Sequence, residues 1–422
     1  MTAPAFWAAF GNPALQDLLQ QAVAANPDLL IAANHLRIAR DAALAVRAQQ
    51  RPSVNLNVGP VDSAATALAL PQARRQAVFE LALNASYELD FWGRLSGLAA
   101  SAQAEQQARA YDSETARISL MGLVAQRYFD IAQADEALAL LQQGLALAAE
   151  RRQLETARQA AGRVGRRPVA EAEAATEELR GKEDQWRGQR RAAEGQLALL
   201  LGRLPEGFSV AAAPLRQALH LPLVPSGLPS TLMQRRPDLR AAEARLLSAQ
   251  ARSGVARAER FPQIRLTGQL GVATDVLRRA ASGSIGLFGF GPELSLPVYD
   301  GGSRAAQIDA SDGEVDIALL EYRKVSLAAF ADVENALLAR QRALVRQDHI
   351  EALRQRQRDA QTELEAQLSA GRRSRLDAIA DDEHRLDTEL LALESYRAQL
   401  DSLLALFAAL GGGWAATSGD PS

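Results

Sequence analysis

The chain contains no cysteine, which excludes disulfides and thiolate metal sites together. Aromatic residues make up only 5%, and the four histidines, His35, His220, His349 and His384, stand apart from one another. Nothing assembles a nucleophile with a base, so the sequence reads as no enzyme and calls for no cofactor. Long hydrophobic runs are missing too. Leu197–Leu201 and Leu403–Leu410 fall far short of the ~18 apolar residues of a spanning helix. Crossing a bilayer would therefore require a closed β-barrel, because strand backbone is satisfied in lipid only there. An excess of one charge is lacking as well: 47 Lys plus Arg stand against 50 Asp plus Glu, which gives no reason to expect nucleic acid as a partner. Met1-Thr2-Ala3 shows neither a basic n-region nor an apolar h-region, so a mature form without its export signal is expected.

The chain does contain an internal repeat. Asn26-Pro27-Asp28-Leu29 returns as Arg236-Pro237-Asp238-Leu239, and Arg51-Pro52 as Phe261-Pro262, each 210 residues later. Gly93 matches Gly302, Ala161-Gly162-Arg163 matches Ala370-Gly371-Arg372, and Leu201-Gly202 matches Leu410-Gly411, each 209 residues later. Generic alanine-rich helices do not explain matched prolines and glycines in the same order.

Each copy opens with a helix, from Asp28 to about Gln50 and from Asp238 to about Arg260. Pro27 and Pro237 suit the first helical position, and Asn26 can cap. Two alternating strands follow. Val54, Leu56 and Val58, then Phe79, Leu81, Leu83, Ala85 and Tyr87, lie on one face with polar residues between them. In the second copy Ile264, Leu266, Leu270 and Val272 alternate in the same way, as do Phe290, Leu294, Leu296 and Val298. Period two gives one apolar and one polar face, as a membrane barrel requires; a soluble sheet with one wet face would look similar. Long helices complete each copy. On the first, Ile118, Met121, Ala125, Tyr128 and Ala132 form one apolar track. Leu120, Val124, Ile131, Ala134 and Leu138 form another, interrupted by Arg127. The tracks point ~200° apart, so this helix needs a neighbour on each side. The last helix carries Leu386, Leu390, Leu393, Leu400, Leu404 and Phe407, with Arg397 as its exception.

The expected organisation is a first repeat over 1–210, with strands 52–61 and 77–92 and a helical hairpin 94–201. A proline-rich linker occupies 203–229. A second repeat covers 230–411, with strands 262–273 and 285–299 and a hairpin 304–410, and 412–422 is a loose tail.

This order resembles the outer-membrane factor family of TolC-like channel-tunnels, closest in flavour to the NodT-type outer-membrane lipoproteins of resistance-nodulation-division (RND) efflux systems. The resemblance rests on the two Pro-Asp-Leu motifs, on Leu89-Asp90-Phe91-Trp92-Gly93-Arg94, on Leu296-Pro297-Val298-Tyr299-Asp300-Gly301-Gly302, and on the turns near Gly162 and Gly371, and it covers about residues 6–411. It implies a mainly α protein with a membrane β-barrel. Four strands per protomer would join in a homotrimer as a 12-stranded barrel, continued by an α-helical periplasmic barrel. It implies a passive exit duct for small molecules in the outer membrane of a Gram-negative bacterium. The partners would be outer-membrane lipid, a periplasmic adaptor and an inner-membrane RND-type transporter. Type I protein secretion is the alternative on the same fold, and a soluble periplasmic coiled-coil scaffold is a third class. The family's lipidated cysteine has no counterpart here. On the strands, the resemblance implies that Phe79, Leu81, Leu83, Ile264, Leu266, Leu294 and Leu296 face lipid. It makes the turns at Gly162, Gly165 and Gly371 adaptor-docking tips, and it assigns Asp377, with Asp381 and Arg373 beside it, to a periplasmic gate. Pro168 stands in the first copy where Asp377 stands in the second, and Ala380, not Asp381, occupies the second acidic position of the family. The run Asp381-Asp382-Glu383-His384 could imitate a metal cluster, but charges on a long helix face explain it. Gly286, Gly289 and Gly291 lie within a strand pattern, so they are no phosphate loop.

Overall fold

The computed structural model describes residues 3–61, 78–215, 235–274 and 285–412. Residues 216–229 of the expected linker, and the expected tail after residue 412, lie outside them. Two short helices, α1 (Ala3–Ala8) and α2 (Pro13–Ala25), precede α3 (Pro27–Ala48). Then come β1 (Ser53–Val61), β2 (Val78–Leu89), α4 (Arg94–Ala160) and α5 (Arg166–Leu200). The second series is α6 (Pro237–Ala258), β3 (Gln263–Thr274), β4 (Ile285–Ser295), α7 (Ser303–Ser369) and α8 (Arg375–Ala409). Corresponding helices have equal lengths: 22 residues for α3 and α6, 67 for α4 and α7, and 35 for α5 and α8.

Side-chain contacts explain the repeated motifs. Asn26 caps α3, its Oδ1 accepting from the Leu29 N–H at 3.0 Å, while its Nδ2 donates to the Leu200 carbonyl at 3.0 Å. At the matching position, Arg236 donates to the Ala409 carbonyl at 3.0 Å. Leu200 and Ala409 are themselves equivalent, so each copy ties the start of its first helix to the end of its last. Both helices end in a glycine of positive φ, Gly202 at 68° and Gly411 at 73°. A Cβ on Gly202 would lie 2.6 Å from the Ala25 carbonyl oxygen, and one on Gly411 would lie 3.0 Å from the Arg236 Cα. Only glycine fits so close an approach.

The chain divides into a helical unit (1–33, 112–239 and 325–422) and a sheet unit (34–111 and 240–324). The helical unit holds the main core, where Phe6, Trp7, Phe10, Tyr128, Phe129 and Phe407 are all buried. Phe6 stacks on Phe407 at 4.4 Å, Trp7 meets Phe407 edge-on at 4.8 Å, and Phe10 approaches Phe129 at 5.8 Å. The Tyr128 hydroxyl accepts from Asn12 Nδ2 at 2.9 Å and from the Ala213 N–H at 3.1 Å. It thus ties the N-terminal segment and the described part of the linker to α4. Glu194 holds the same linker through Ser209 Oγ at 3.0 Å and the Val210 N–H at 3.1 Å.

Both tracks of α4 are buried here, including Ala125, Tyr128, Val124 and Ile131, except that Leu138 is half-buried. The neighbours the sequence demanded come from the same chain, with α5 and α8 among them: Arg190 pairs with Asp135 at 2.5 Å, and Arg397 with Asp130 at 2.8 Å. The interruptions at Arg127 and Arg397 form one charge network with Asp130 and Asp401. By contrast α7 buries Ala329, Ala336, Ala343 and Ile350 at heptad spacing but leaves Phe330, Leu337 and Leu344, also seven apart, exposed.

In the sheet unit the four strands are antiparallel in the order β1-β2-β3-β4. The last β3–β4 pair is Gln263↔Ser295. Expected strand residues 296–299 therefore have no strand partner among the described residues, and Leu296 and Val298 lie beyond β4. Pro297, which has no N–H to donate, and the helix-capping turn at Asp300 explain the early end. In that turn the Gly302 N–H donates to the Asp300 carboxylate at 3.0 Å and the Arg304 N–H at 3.2 Å. β2 likewise ends at Leu89, before Asp90 caps α4 through the Leu95 and Ser96 N–H groups at 2.9 and 2.7 Å.

Candidate functional site

Three places carry the expected functional residues. The first is the sheet. Its register aligns apolar side chains across all four strands: Leu56 pairs with Leu83, Leu83 with Leu270, and Leu270 with Phe288. Val58, Leu81 and Val272 form a parallel row. Ile264, Leu266 and Leu294 share this face, Leu294 opposite Ile264 at the end of β4. The face is uncovered, Leu56, Leu270, Phe288, Phe290 and Leu294 all being exposed. The side chain of Phe79 lies outside the described residues, and Leu296 is exposed beyond the strand. The opposite face is polar. Gln269 Nε2 donates to Glu80, and Arg94 grips Glu88 with two bonds of 2.8 Å. At the helix-proximal edge of the sheet is an aromatic pair the sequence reading did not single out. Trp92 stacks on Phe261 at 4.8 Å and donates its indole N–H to the Pro262 carbonyl at 2.7 Å. Both rings are half exposed. The signal was present, since Trp92 sits in the strand-to-helix motif and Phe261 precedes the matched Pro262.

The second place is the pair of helical turns. Gly162 and Gly371 both have φ 68°, the left-handed conformation that closes each hairpin. Gly165 is different: with φ −79° it is the N-cap of α5 and makes no side-chain capping bond. A Cβ at any of these three glycines would meet nothing within 4 Å, so the turns are bare. The two turns lie at the same end of the helical unit, because α4 and α8 run antiparallel. Asp130 with Arg397, Arg151 with Glu383 at 2.7 Å, and Glu150 with Arg375 at 2.7 Å fix that alignment.

The third place is the start of α8. Here Ser374 and Asp377 form a reciprocal capping box. The Asp377 N–H donates to Ser374 Oγ at 3.3 Å, and the Ser374 N–H donates to the Asp377 carboxylate at 2.9 Å. The Ser374 backbone and hydroxyl hold the Asp377 carboxyl below the usual carboxylate range, and Arg373, 3.9 Å away, acts in the same direction. A depressed native pKa means this interaction is complete above the ordinary carboxylate value and is lost only as pH falls through the native one. Asp377 is therefore anionic at neutral pH. In the first copy Pro168 stands at this position and the box is absent. Asp381 lies one turn further along the same face, exposed, in a groove of about 550 Å³ between α7 and α8 that Arg375 also lines. The Asp381–His384 run does not converge. Glu383 turns to Arg151 and Asp382 to Arg385 at 3.5 Å, and no metal-binding cluster occurs among the described residues.

Residues 18–203 and 228–412 both match the family described as Outer membrane efflux protein. The chain is 31% identical to the pyoverdine export outer membrane protein OpmQ of Pseudomonas aeruginosa over 97% of its own length and 87% of that protein's. It is 32% identical to the toluene efflux pump outer membrane protein TtgF of Pseudomonas putida, over 98% and 86%. Among solved structures it superposes on the outer-membrane channel MtrE of Neisseria gonorrhoeae with TM-score 0.82 and 29% identity, covering 96% and 91% of the two chains. Its match to the outer-membrane channel OprN has TM-score 0.84 and 26% identity, covering 97% and 92%. The match runs through both repeats and nearly the full chain: the protein belongs to the outer membrane efflux protein family, whose members are non-enzymatic channels of the Gram-negative outer membrane.

Proposed function

We propose that three copies of the chain join their sheets into a 12-stranded barrel and serve as the passive exit duct of a tripartite efflux pump. The observation that carries this reading is the exposed apolar row from Leu56 to Phe288 across a sheet with two open edges. Four strands cannot close a barrel, since about eight is the practical minimum, and strands of 9–12 residues match the tilted membrane span. On this reading Leu81, Leu83, Leu266 and Leu270 face lipid, and Trp92 with Phe261 marks the headgroup level. The uncovered α7 seam of Phe330, Leu337 and Leu344 packs against a second copy. Small organic compounds, the class to which the cargoes of OpmQ and TtgF belong, are the substrates. An inner-membrane RND-type transporter supplies the energy, and a periplasmic adaptor meets the turns.

Docking at the turns is tested most cleanly at Gly165. A tryptophan at Gly162 or Gly371 would strain the backbone, because φ is positive there. Gly165 accepts any side chain at φ −79°. Gly165→Trp should leave the trimer in the outer membrane at normal level yet make a channel-dependent host hypersensitive to exported compounds. Wild-type resistance in that strain would end the claim that this turn is a docking surface.

The gate reading gives Asp377 a second duty. Three copies of an anionic carboxylate around one axis favour cations in the tunnel mouth. Asp377→Asn keeps an acceptor for the Ser374 N–H but removes the charge. Cation selectivity and block by a trivalent cation should both weaken in planar bilayers, while Asp377→Glu retains them. Unchanged selectivity in Asp377→Asn would leave helix capping as the residue's whole role.

A further inference from the structure

The two turns are unusually basic for a chain whose net charge is −3. Residues 159–168 hold three arginines and no acid, and residues 368–377 hold three arginines and one acid. Half of these arginines are engaged. Arg167 pairs with Glu171 at 2.7 Å, Arg375 with Glu150 at 2.7 Å, and Arg373 lies 3.9 Å from Asp377. Arg163, Arg166 and Arg372 have no side-chain partner among the described residues. Elsewhere in the helical unit Arg127, Arg151, Arg190, Arg354 and Arg397 each face a carboxylate, while Arg152, Arg191, Arg342 and Arg356 stand along the long helices with no carboxylate partner among the described residues. Arg163, Arg166 and Arg372 are all exposed, on turns whose glycines leave the backbone uncovered.

We propose that Arg163, Arg166 and Arg372 form a cationic collar that receives a partner protein through carboxylates at the tip of its helical hairpin. The proposal rests on the reading of the turns as docking tips and adds the chemistry of what docks there. A guanidinium presents a planar fork that a carboxylate matches with two parallel hydrogen bonds. The three are free to do so because no described residue of their own chain competes. Such exposed charges contribute modestly each, but together they steer the encounter and set its register. The association is therefore salt-sensitive.

The test uses the full chain in detergent and two disulfide-stapled helix–turn–helix peptides, identical except for three glutamates or three glutamines at the tip. At low salt the glutamate peptide should bind about 10-fold more tightly. That preference should disappear in the Arg163→Gln/Arg166→Gln/Arg372→Gln variant and at about 0.5 M salt. Equal binding of the two peptides, or binding by neither, overturns the proposal. So does retention by phosphatidylglycerol vesicles in place of the glutamate peptide, which would mark a lipid-binding patch. Failure here is separable from failure of the docking reading. If Gly165→Trp abolishes efflux while the arginine variant keeps the glutamate preference, the turns dock and the collar is not what they use. If Gly165→Trp leaves efflux intact, the docking reading itself falls.

Discussion

Replacing Asp130 with alanine should lower the stability of the helical unit by about 3 kcal/mol, more than replacing the far more buried Arg397 with methionine. Arg397 crosses from α8 to α4, donating to Asp130 at 2.8 Å and to the Gln126 carbonyl at 3.3 Å, and it also pairs with Asp401. Its side chain is 7% exposed, against 28% for Asp130. Taking away Asp130 leaves a buried guanidinium short of a counter-charge, and removing one member of a buried pair is the destabilising case. Asp401 stays, which holds the loss near the lower end of the usual range. Arg397→Met leaves no such orphan. Asp130 keeps Arg127 at 2.8 Å, and Asp401 can bind a proton. Burial already pushes the Asp401 carboxyl above the usual carboxylate range, against the pull of Arg397. The sign then separates the variants. A raised native pKa favours the fold while the group is protonated, and that advantage fades as pH rises through the native value. Acidification from neutral pH should narrow the deficit of Arg397→Met. It should widen that of Asp130→Ala, because Asp401 gives up its charge to the proton. Thermal unfolding followed by helical circular dichroism at two pH values reads both. Parallel deficits would mean that the network is solvated and contributes little.

The same cluster shows where sequence reading ran out. Arg127 and Arg397 stood out as interruptions of apolar tracks, but their partners are 3 residues away in one case and 267 in the other. Heptad spacing says which face a residue occupies and nothing of what lies across it. The repeat was legible for the opposite reason. Its prolines and glycines answer backbone requirements that do not depend on a partner's identity. Asn26 and Arg236 differ chemically yet reach equivalent carbonyls, Leu200 and Ala409. The two helices before Asn26 went unread even though Asn12-Pro13 is a capping signal and Leu15, Leu18, Leu19 and Ala22 follow at helical spacing. Strand alternation was read correctly in phase but too far in length, because alternation alone does not say where the neighbouring strand stops. At Asp377 the sequence left helix start and gate both open. The capping box gives geometric form to the first and leaves the charge available for the second.

Phase and depth together set the remaining prediction. Leu83 lies midway along β2 (Val78–Leu89), paired on either side with Leu56 and Leu270. Leu294 is the penultimate residue of β4 (Ile285–Ser295). If the apolar face meets lipid, an arginine at Leu83 sits near the bilayer midplane and should cost about 2–4 kcal/mol in folding. At Leu294 the guanidinium can snorkel to the headgroups, and the loss should be about 0–1 kcal/mol. Asn84, the next residue along β2, points to the polar face, where it pairs with Asn55 and Gln269. Asn84→Arg should therefore fold almost as the parent does, although it lies at the same depth as Leu83. Urea titrations of the three variants in lipid vesicles give the comparison directly. A large loss for Asn84→Arg with a neutral Leu83→Arg would reverse the two faces of the sheet. Equal, small losses at Leu83 and Leu294 would remove the lipid from the apolar face altogether.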